Sequence, residues 1–295
     1  MRIGSTVRHP VQFCRVLLRS ASAFIAVLLF LDQLGCAHAP SPLAPGFKGT
    51  VGMTHRGVLD GGEEIPKEGD GFRFLRDNGR HFATPRFSRV LKRAAATVAR
   101  ERPGALLVLG DVSTKDGGQL MPHFSHRAGR DADLVYYFTT EGGAPVAEHG
   151  FLHVGPDGLA FDDAKKRFLR FDVEREWLLV RALLEDPEAR VQWIFVHDNV
   201  KAMLLQWARA RGESTEMLWR AEQLMLQPNP GGPHDDHLHV RTACDQDEID
   251  HGCVPFGPER PWLALPPRPP TAVTDQELAL ELFTPLPAMT VATAP

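Results

Sequence analysis

Residues 234–241 read HDDHLHVR, and polar and apolar residues alternate from His237 to Thr242. The alternation is typical of a β-strand with one buried face and one polar face. Since residues two apart on a strand point to the same side, we expect His237 and His239 to lie side by side. The stretch therefore predicts a strand that carries two imidazoles on its polar face.

A second polar cluster occupies residues 123–133, which read HFSHRAGRDAD and run into another expected strand, Asp133 to Phe138. Asp131 and Asp133 would share one face of an extended chain in the same way. Neither cluster is specific alone, but two such clusters in one chain are hard to obtain by accident. Together they predict a site built from histidine and aspartate.

Imidazole and carboxylate groups suit a catalytic zinc site, in which three protein groups bind the ion and a fourth position is left for water. The two clusters offer one such set: His126, Asp133 and His239. The other histidines of the clusters would serve proton transfer, ligand orientation or transition-state stabilisation: His123, His234 and His237. Because histidine-rich segments also bind metals without catalysis, a non-catalytic metal-binding module is the alternative.

The chain from Thr50 to Leu265 mixes expected helices and strands without regular βαβ spacing. Thr84-Pro85 and Asp172 are N-terminal caps of two helices with apolar residues at helical spacing. Further helices are expected at residues 199–209 and 215–226, and further strands at residues 105–109 and 191–196. We therefore expect one α+β domain, residues 50–265, with a small, mostly antiparallel sheet flanked by helices and the zinc site on the sheet.

Residues 1–36 have the composition of a signal peptide, with four arginines before an apolar run that ends at Asp32. The run is shorter than the roughly 20 apolar residues that span a bilayer. Leu34-Gly35-Cys36 then resembles a bacterial lipobox, which predicts lipidation of Cys36, while cleavage after Ala39 is the alternative. We expect an exported, periplasmic protein, with a linker at residues 37–49 and a proline-rich tail at residues 266–295.

The composition narrows the function classes. The chain has 295 residues and a net charge of −4, and the arginine-rich leader makes the remaining body more acidic still. Non-specific nucleic-acid binding needs clustered cations and is therefore not expected. The 43% hydrophobic content argues against disorder. Contact with a membrane is expected only through a lipid at Cys36.

Two cysteines remain outside the leader, Cys244 and Cys253. In an exported protein they favour one disulfide that closes a small loop, with two free thiols as the alternative. Other hydrolase signatures are missing: the sequence contains no HExxH, no phosphate-binding loop and no G-x-S-x-G elbow. Ser125 beside His126 does not amount to a serine triad, because adjacency in sequence is not triad geometry.

The pattern SHxxGxDxD at residues 125–133, together with HxxHxHVR at residues 234–241, resembles the penicillin-insensitive murein endopeptidases of the lysostaphin/D-Ala-D-Ala metallopeptidase group. The similarity covers roughly residues 57–253. It implies zinc bound by His126, Asp133 and His239, with His237 as general base and His234 as a second catalytic candidate. It also implies hydrolysis of peptidoglycan peptides, typically between D-alanine and diaminopimelate, by water that the metal activates.

Four residues of the motifs have candidate roles in substrate binding or ligand orientation: His123, Asp131, Arg127 and Arg241. Arg127 and Arg130 are either an exposed turn or contacts to a substrate carboxylate, and Arg241 either pairs with a pocket carboxylate or faces solvent. Asp131 either orients a ligand or forms a turn. A D,D-carboxypeptidase or dipeptidase with the same metal architecture remains the enzymatic alternative, and a peptidoglycan-binding module the non-enzymatic one.

Overall fold

The computed structural model describes residues 46–229, 231–258 and 260–265. The predicted signal peptide, Cys36 and the tail at residues 266–295 lie outside this part, as does most of the predicted linker. Among the described residues, no helix combines the length and the apolar character that crossing a membrane requires.

The described chain contains fifteen strands and five α-helices. The strands are β1 (Gly49–Met53), β2 (Arg56–Asp60), β3 (Glu63–Glu64), β4 (Glu68–Gly69), β5 (Phe72–Phe74), β6 (Phe82–Ala83), β7 (Leu107–Leu109), β8 (Asp131–Val135), β9 (Phe138–Thr139), β10 (Pro145–Val146), β11 (Leu159–Asp162), β12 (Arg167–Phe171), β13 (Val191–Phe195), β14 (Met225–Leu226) and β15 (His237–Thr242). The helices are α1 (Pro85–Glu101), α2 (Val173–Glu185), α3 (Asp198–Ala210), α4 (Thr215–Leu224) and α5 (Gln246–Asp250).

The central sheet has seven strands in the order β14-β13-β15-β8-β7-β5-β4. Its pairs are antiparallel except β13 with β14 and β5 with β7, which are parallel. A four-stranded sheet, β10-β9-β12-β11, and two two-stranded sheets accompany it. The α+β class with a mostly antiparallel sheet is therefore confirmed.

The two faces of the sheet have opposite character. Leu238, Val240, Leu134 and Ile194 point to one side, where they join the helices in one hydrophobic core. Residues that alternate with them on β8 and β15 form the opposite side, here called the site face: Asp131, Asp133, His237, His239 and Arg241. Because the apolar residues face the core, the polar residues that alternate with them must share the opposite face of the sheet.

The helices begin where the sequence predicts. Thr84 caps α1 by accepting a hydrogen bond from the backbone nitrogen of Phe87 at 3.2 Å, and Pro85 occupies the first helical turn. Asp172 caps α2 by accepting from the nitrogen of Arg175 at 3.1 Å. Both helices present buried apolar stripes to the core, so capping and periodicity agree with packing.

Two boundaries differ from the predicted ones. The strand expected at residues 133–138 is β8 plus the short β9, because the backbone nitrogen of Tyr137 donates to the buried Glu176 carboxylate at 3.0 Å instead of a strand. The helix expected to reach Leu226 ends at Leu224, because Met225 and Leu226 pair with β13. Tertiary partners decide both positions.

The predicted disulfide between Cys244 and Cys253 is confirmed. It closes the loop that contains α5, directly after β15. The loop is also tied to β1, because Gly52 donates to the carbonyl of Gly252 at 2.9 Å and accepts from Val254 at 3.0 Å. A disulfide and two backbone hydrogen bonds thus fix the segment that follows β15, the strand of His237 and His239.

Candidate metal centre

One carboxylate oxygen, Oδ1 of Asp133, lies at the centre of the histidine clusters. His126 Nε2 is 3.2 Å away, and His239 Nδ1 and His237 Nε2 are each 3.4 Å away. The strand register causes this meeting, because His239 on β15 stands directly opposite Asp133 on β8. The sheet therefore assembles both clusters at one point.

His126 reaches this point from the loop before β8. It is completely buried and adopts a left-handed backbone, with φ at 65°. Its Nδ1 is 2.8 Å from the carbonyl oxygen of Val112, which can only accept, so Nδ1 carries a proton and Nε2 faces Asp133. Neither His126 Nε2 nor Asp133 Oδ1 has a hydrogen-bond partner among the described residues, although both are buried.

His239 is oriented by Asp131. The Nε2 of His239 donates to Asp131 Oδ1 at 2.8 Å, and the same oxygen accepts from Arg241 Nε at 2.6 Å. Burial lowers the pKa of His239 to about 4 despite the Asp131 charge, so this imidazole is neutral and its Nδ1 has a free lone pair. Burial raises the pKa of Asp131, but Arg241 and His239 outweigh burial and hold it well below its usual range.

His237 has a comparable arrangement on the more open side. Its Nδ1 is 2.5 Å from Asp236 Oδ1, and its side chain is 17% exposed. Burial lowers the pKa of His237, but its contacts with the Asp133 and Asp236 carboxylates outweigh burial and raise it to about 9. A bound cation beside Asp133 would oppose this rise by offsetting the carboxylate charge.

These contacts direct three imidazole nitrogens at one acceptor oxygen. The second nitrogen of each ring is engaged by an acceptor: Val112 for His126, Asp131 for His239 and Asp236 for His237. When the rings are neutral, the three nitrogens that face Asp133 Oδ1 then have no proton of their own, and one proton on this oxygen can form a hydrogen bond in only one of the three contacts. Ligands about 2.0–2.1 Å from a tetrahedral zinc ion lie about 3.3–3.4 Å apart, close to the spacing found here. The donor set thus fits a metal ion.

His123 lies beside this set and contacts Asp111, a residue that was not predicted to belong to the site. Its Nε2 is 2.9 Å from Asp111 Oδ2, and its Nδ1 is 3.7 Å from Asp133 Oδ2. Asn78 and Arg80 donate to the same Asp111 carboxylate at 2.8 and 2.7 Å. Asp111 follows the apolar strand β7, and a polar residue after such a strand is the signal that could have identified it. Asp236 lies in the cluster at residues 234–241, but no role was predicted for it.

His234 completes the group from the loop before β15. Its ring centroid is 5.0 Å from that of His237 and 5.6 Å from that of His239. It also has a left-handed backbone, with φ at 52°, and its carbonyl oxygen accepts from Tyr136 Oη at 2.8 Å. Burial lowers its pKa, and the neighbouring His237 lowers it further.

The arginines of the motifs have different positions. Arg241 pairs with Asp131, which excludes the interpretation that it simply faces solvent. Arg130 is 1% exposed and donates to the carbonyl of Thr242 at 2.6 Å, so it forms neither an exposed turn nor an open substrate contact. Arg127 is half-buried, and its backbone nitrogen donates to Thr54.

The fold and the site are those of a metal-dependent hydrolase: one buried carboxylate and several oriented imidazoles meet at one point, where His237 is 17% exposed. Two sets of residues with the spacing of metal ligands lie here, His123/His126/Asp133 and His234/His237/His239, and the contacts above join them.

Sequence comparison gives the family. The chain belongs to the penicillin-insensitive murein endopeptidases, whose family model matches residues 50–259, and it is therefore a metallopeptidase. A penicillin-insensitive murein endopeptidase of Haemophilus influenzae is 27% identical over 250 residues, which are 80% of each chain. One of Salmonella paratyphi C is 24% identical over 253 residues, 79% of this chain and 82% of the relative. The predicted family is confirmed.

Proposed function

We propose that the protein is a zinc-dependent endopeptidase that hydrolyses peptide cross-links of peptidoglycan between D-alanine and diaminopimelate. The observation that carries the proposal is the convergence of His126 Nε2, His239 Nδ1 and His237 Nε2 on Asp133 Oδ1 at 3.2–3.4 Å. The two buried atoms without a hydrogen-bond partner, in His126 and Asp133, support a cation at this point.

We assign the metal ligands to His126, Asp133 and His239. The neutral state of His239 and the fixed orientation of its ring by Asp131 favour it as a ligand. His237 is the more exposed histidine, which suits a group that meets substrate. When bound, zinc lowers the pKa of water to about 7 and polarises the scissile carbonyl.

The proposed general base is His237. With Nδ1–H donated to Asp236, its Nε2 can accept a proton from the attacking water and later pass it to the leaving amine. His234, whose ring centroid is 5.0 Å from that of His237, is the second catalytic candidate. His123, held by Asp111, and Asp131 orient the centre, and Arg127, the residue after His126, is the candidate contact to a substrate carboxylate.

The proposed setting is the periplasm. Residues 1–36 would direct export, and lipidation of Cys36 would anchor the protein to the outer membrane through the linker at residues 37–49. The metallopeptidase domain would comprise residues 50–265, followed by the tail at residues 266–295. The disulfide supports the proposal, because such bonds persist in oxidising compartments.

The test is digestion of cross-linked muropeptide dimers by the purified protein, with zinc and with a chelator. We expect conversion to monomers with zinc and none with the chelator, and one zinc ion per chain by elemental analysis. Release of terminal D-alanine from monomers, with dimers left intact, would favour the carboxypeptidase alternative. Tight zinc binding without any hydrolysis would favour the non-catalytic module.

A further inference from the structure

Arg241 is a charged group at the edge of the metal centre with unused hydrogen-bond donors. It follows His239 by two residues on β15 and therefore lies on the site face. Its Nε donates to Asp131, and its guanidinium lies over the Phe195 ring, 5.2 Å from the centroid. The two terminal nitrogens donate to no described residue, and they are not among the buried atoms without a partner. The Arg241 side chain is 12% exposed, so part of it reaches the surface.

The other arginines near the centre are less suited to bind a ligand there. Arg80 is engaged by the Asp111 carboxylate and the carbonyl of Met121. Arg76 is exposed and lies 5.7 Å from the centroid of Phe151, on the His237 side. Arg241 combines a fixed position, a permanent charge and free planar donors, which match a carboxylate in a two-pronged geometry.

The substrate class that we propose supplies such a carboxylate. In a D-alanine–diaminopimelate cross-link, the carbon attached to the scissile nitrogen also carries a free carboxylate. Three bonds separate this group from the reacting carbonyl carbon, so the two lie within about 4 Å of each other. A cation two residues along the strand from the proposed ligand His239 is close enough to bind this carboxylate.

We propose that Arg241 binds the carboxylate next to the scissile nitrogen and makes the enzyme select cross-links in which this group is free over those in which it is amidated. The inference rests on the proposed function. The guanidinium packs over the Phe195 ring, and its Nε donates to Asp131. Because these contacts already fix the side chain, it loses little conformational freedom when the carboxylate binds.

The experiment compares two muropeptide dimers that differ only in this group, free acid in one and primary amide in the other. The proteins are the full-length enzyme and its Arg241→Gln, Arg241→Lys and Arg76→Gln variants, each with its zinc content measured. For the wild type, amidation should lower kcat/KM by about 10- to 100-fold, mainly through KM, as expected for one lost charge-assisted pair.

In Arg241→Gln the two substrates should differ by less than about 3-fold, because the variant no longer distinguishes a charge from an amide. Any general damage to the centre lowers turnover of both substrates alike and leaves this ratio unaffected. Arg76→Gln should keep the wild-type ratio. Arg241→Lys retains the charge without the planar fork, so its ratio should fall between the two; it also serves as the test if Arg241→Gln loses zinc or does not fold.

An unchanged ratio in both Arg241 variants would overturn the inference, as would a ratio near one in the wild type. Loss of selectivity in Arg76→Gln would assign the carboxylate to the opposite side of the centre. Failure of the wild type to cleave either dimer would instead refute the proposed function, so the two failures are distinguishable.

Discussion

Replacing Asp131 by asparagine should weaken zinc binding although the substitution changes no proposed ligand. Asp131 is fully buried, and one of its oxygens accepts from both His239 and Arg241. Hydrogen bonds to a charged acceptor contribute about 1.5–3 kcal/mol, against about 0.5–1.5 kcal/mol for neutral pairs. The neutral amide thus lowers the support of His239 by about 1–2 kcal/mol.

That difference corresponds to about a 5- to 30-fold rise in the zinc dissociation constant, which overlaps the range of about 10- to 100-fold known for partners of metal-binding histidines. The assay is competition for zinc against a chromophoric chelator at pH 7.5, with urea unfolding to verify that the variant is folded. Within the part of the chain that the structure describes, the buried Oδ2 of Asp131 has no hydrogen-bond partner, so an amide nitrogen at that position adds an unsatisfied donor. Its cost would appear as a lower unfolding free energy.

Asp236→Asn is the matched control, because it alters the same kind of contact at His237. If His237 is the base and not a ligand, this variant should bind zinc within about 3-fold of the wild type but turn over more slowly. Equal weakening of zinc binding by both substitutions would refute the division of roles between His239 and His237. Unchanged affinity in Asp131→Asn would refute the orienting role of Asp131.

Three further predictions concern the proposed metal ligands, a buried carboxyl group and the disulfide. His126→Ala should strip zinc from the protein while His237→Ala retains it and loses turnover, as measured by elemental analysis and muropeptide digestion; zinc loss in the second variant would make His237 a ligand. Burial raises the pKa of Glu176 from 4.5 to about 8, so the folded state binds the extra proton and stability falls as pH rises between these values. Glu176→Gln should therefore gain about 1.4 kcal/mol per pH unit over the wild type in urea unfolding between pH 5 and 8, and a pH-independent difference would contradict this. Replacing both cysteines of the disulfide by serine should cost about 2.6 kcal/mol, the loop-closure value for a separation of 9 residues, and an unchanged urea midpoint would count against it.

Local patterns predicted the parts of the fold that depend on neighbours in sequence. The strand His237–Thr242 was predicted with its observed bounds, because Leu238 and Val240 alternate with polar residues, and α1 and α2 begin at their predicted caps. The end of β8 was not predictable in this way. Tyr137 leaves the sheet for a carboxylate 39 positions further along the chain, and no local pattern encodes that partner.

The same distinction applies to the site. Side-chain chemistry sufficed to select His126, Asp133 and His239, which the structure brings together, although their roles remain predictions. The role of Asp111 was missed because its contact to His123 depends on how the loop after β7 folds back. The pairing of Arg241 with Asp131 was left open because it depends on the register of β15 with β8.

The contacts of Val112, Asp131 and Asp236 with the three imidazoles have a consequence for how the enzyme acquires its ion. The rings are oriented by protein atoms alone, and the strands carrying Asp133 and His239 belong to a sheet with its own hydrophobic core. Unlike small zinc domains, whose folding depends on the metal, a domain with such a core is expected to fold first and load the ion afterwards. Synthesis and activation would then be separate steps, and the supply of metal would set how much of the enzyme is active.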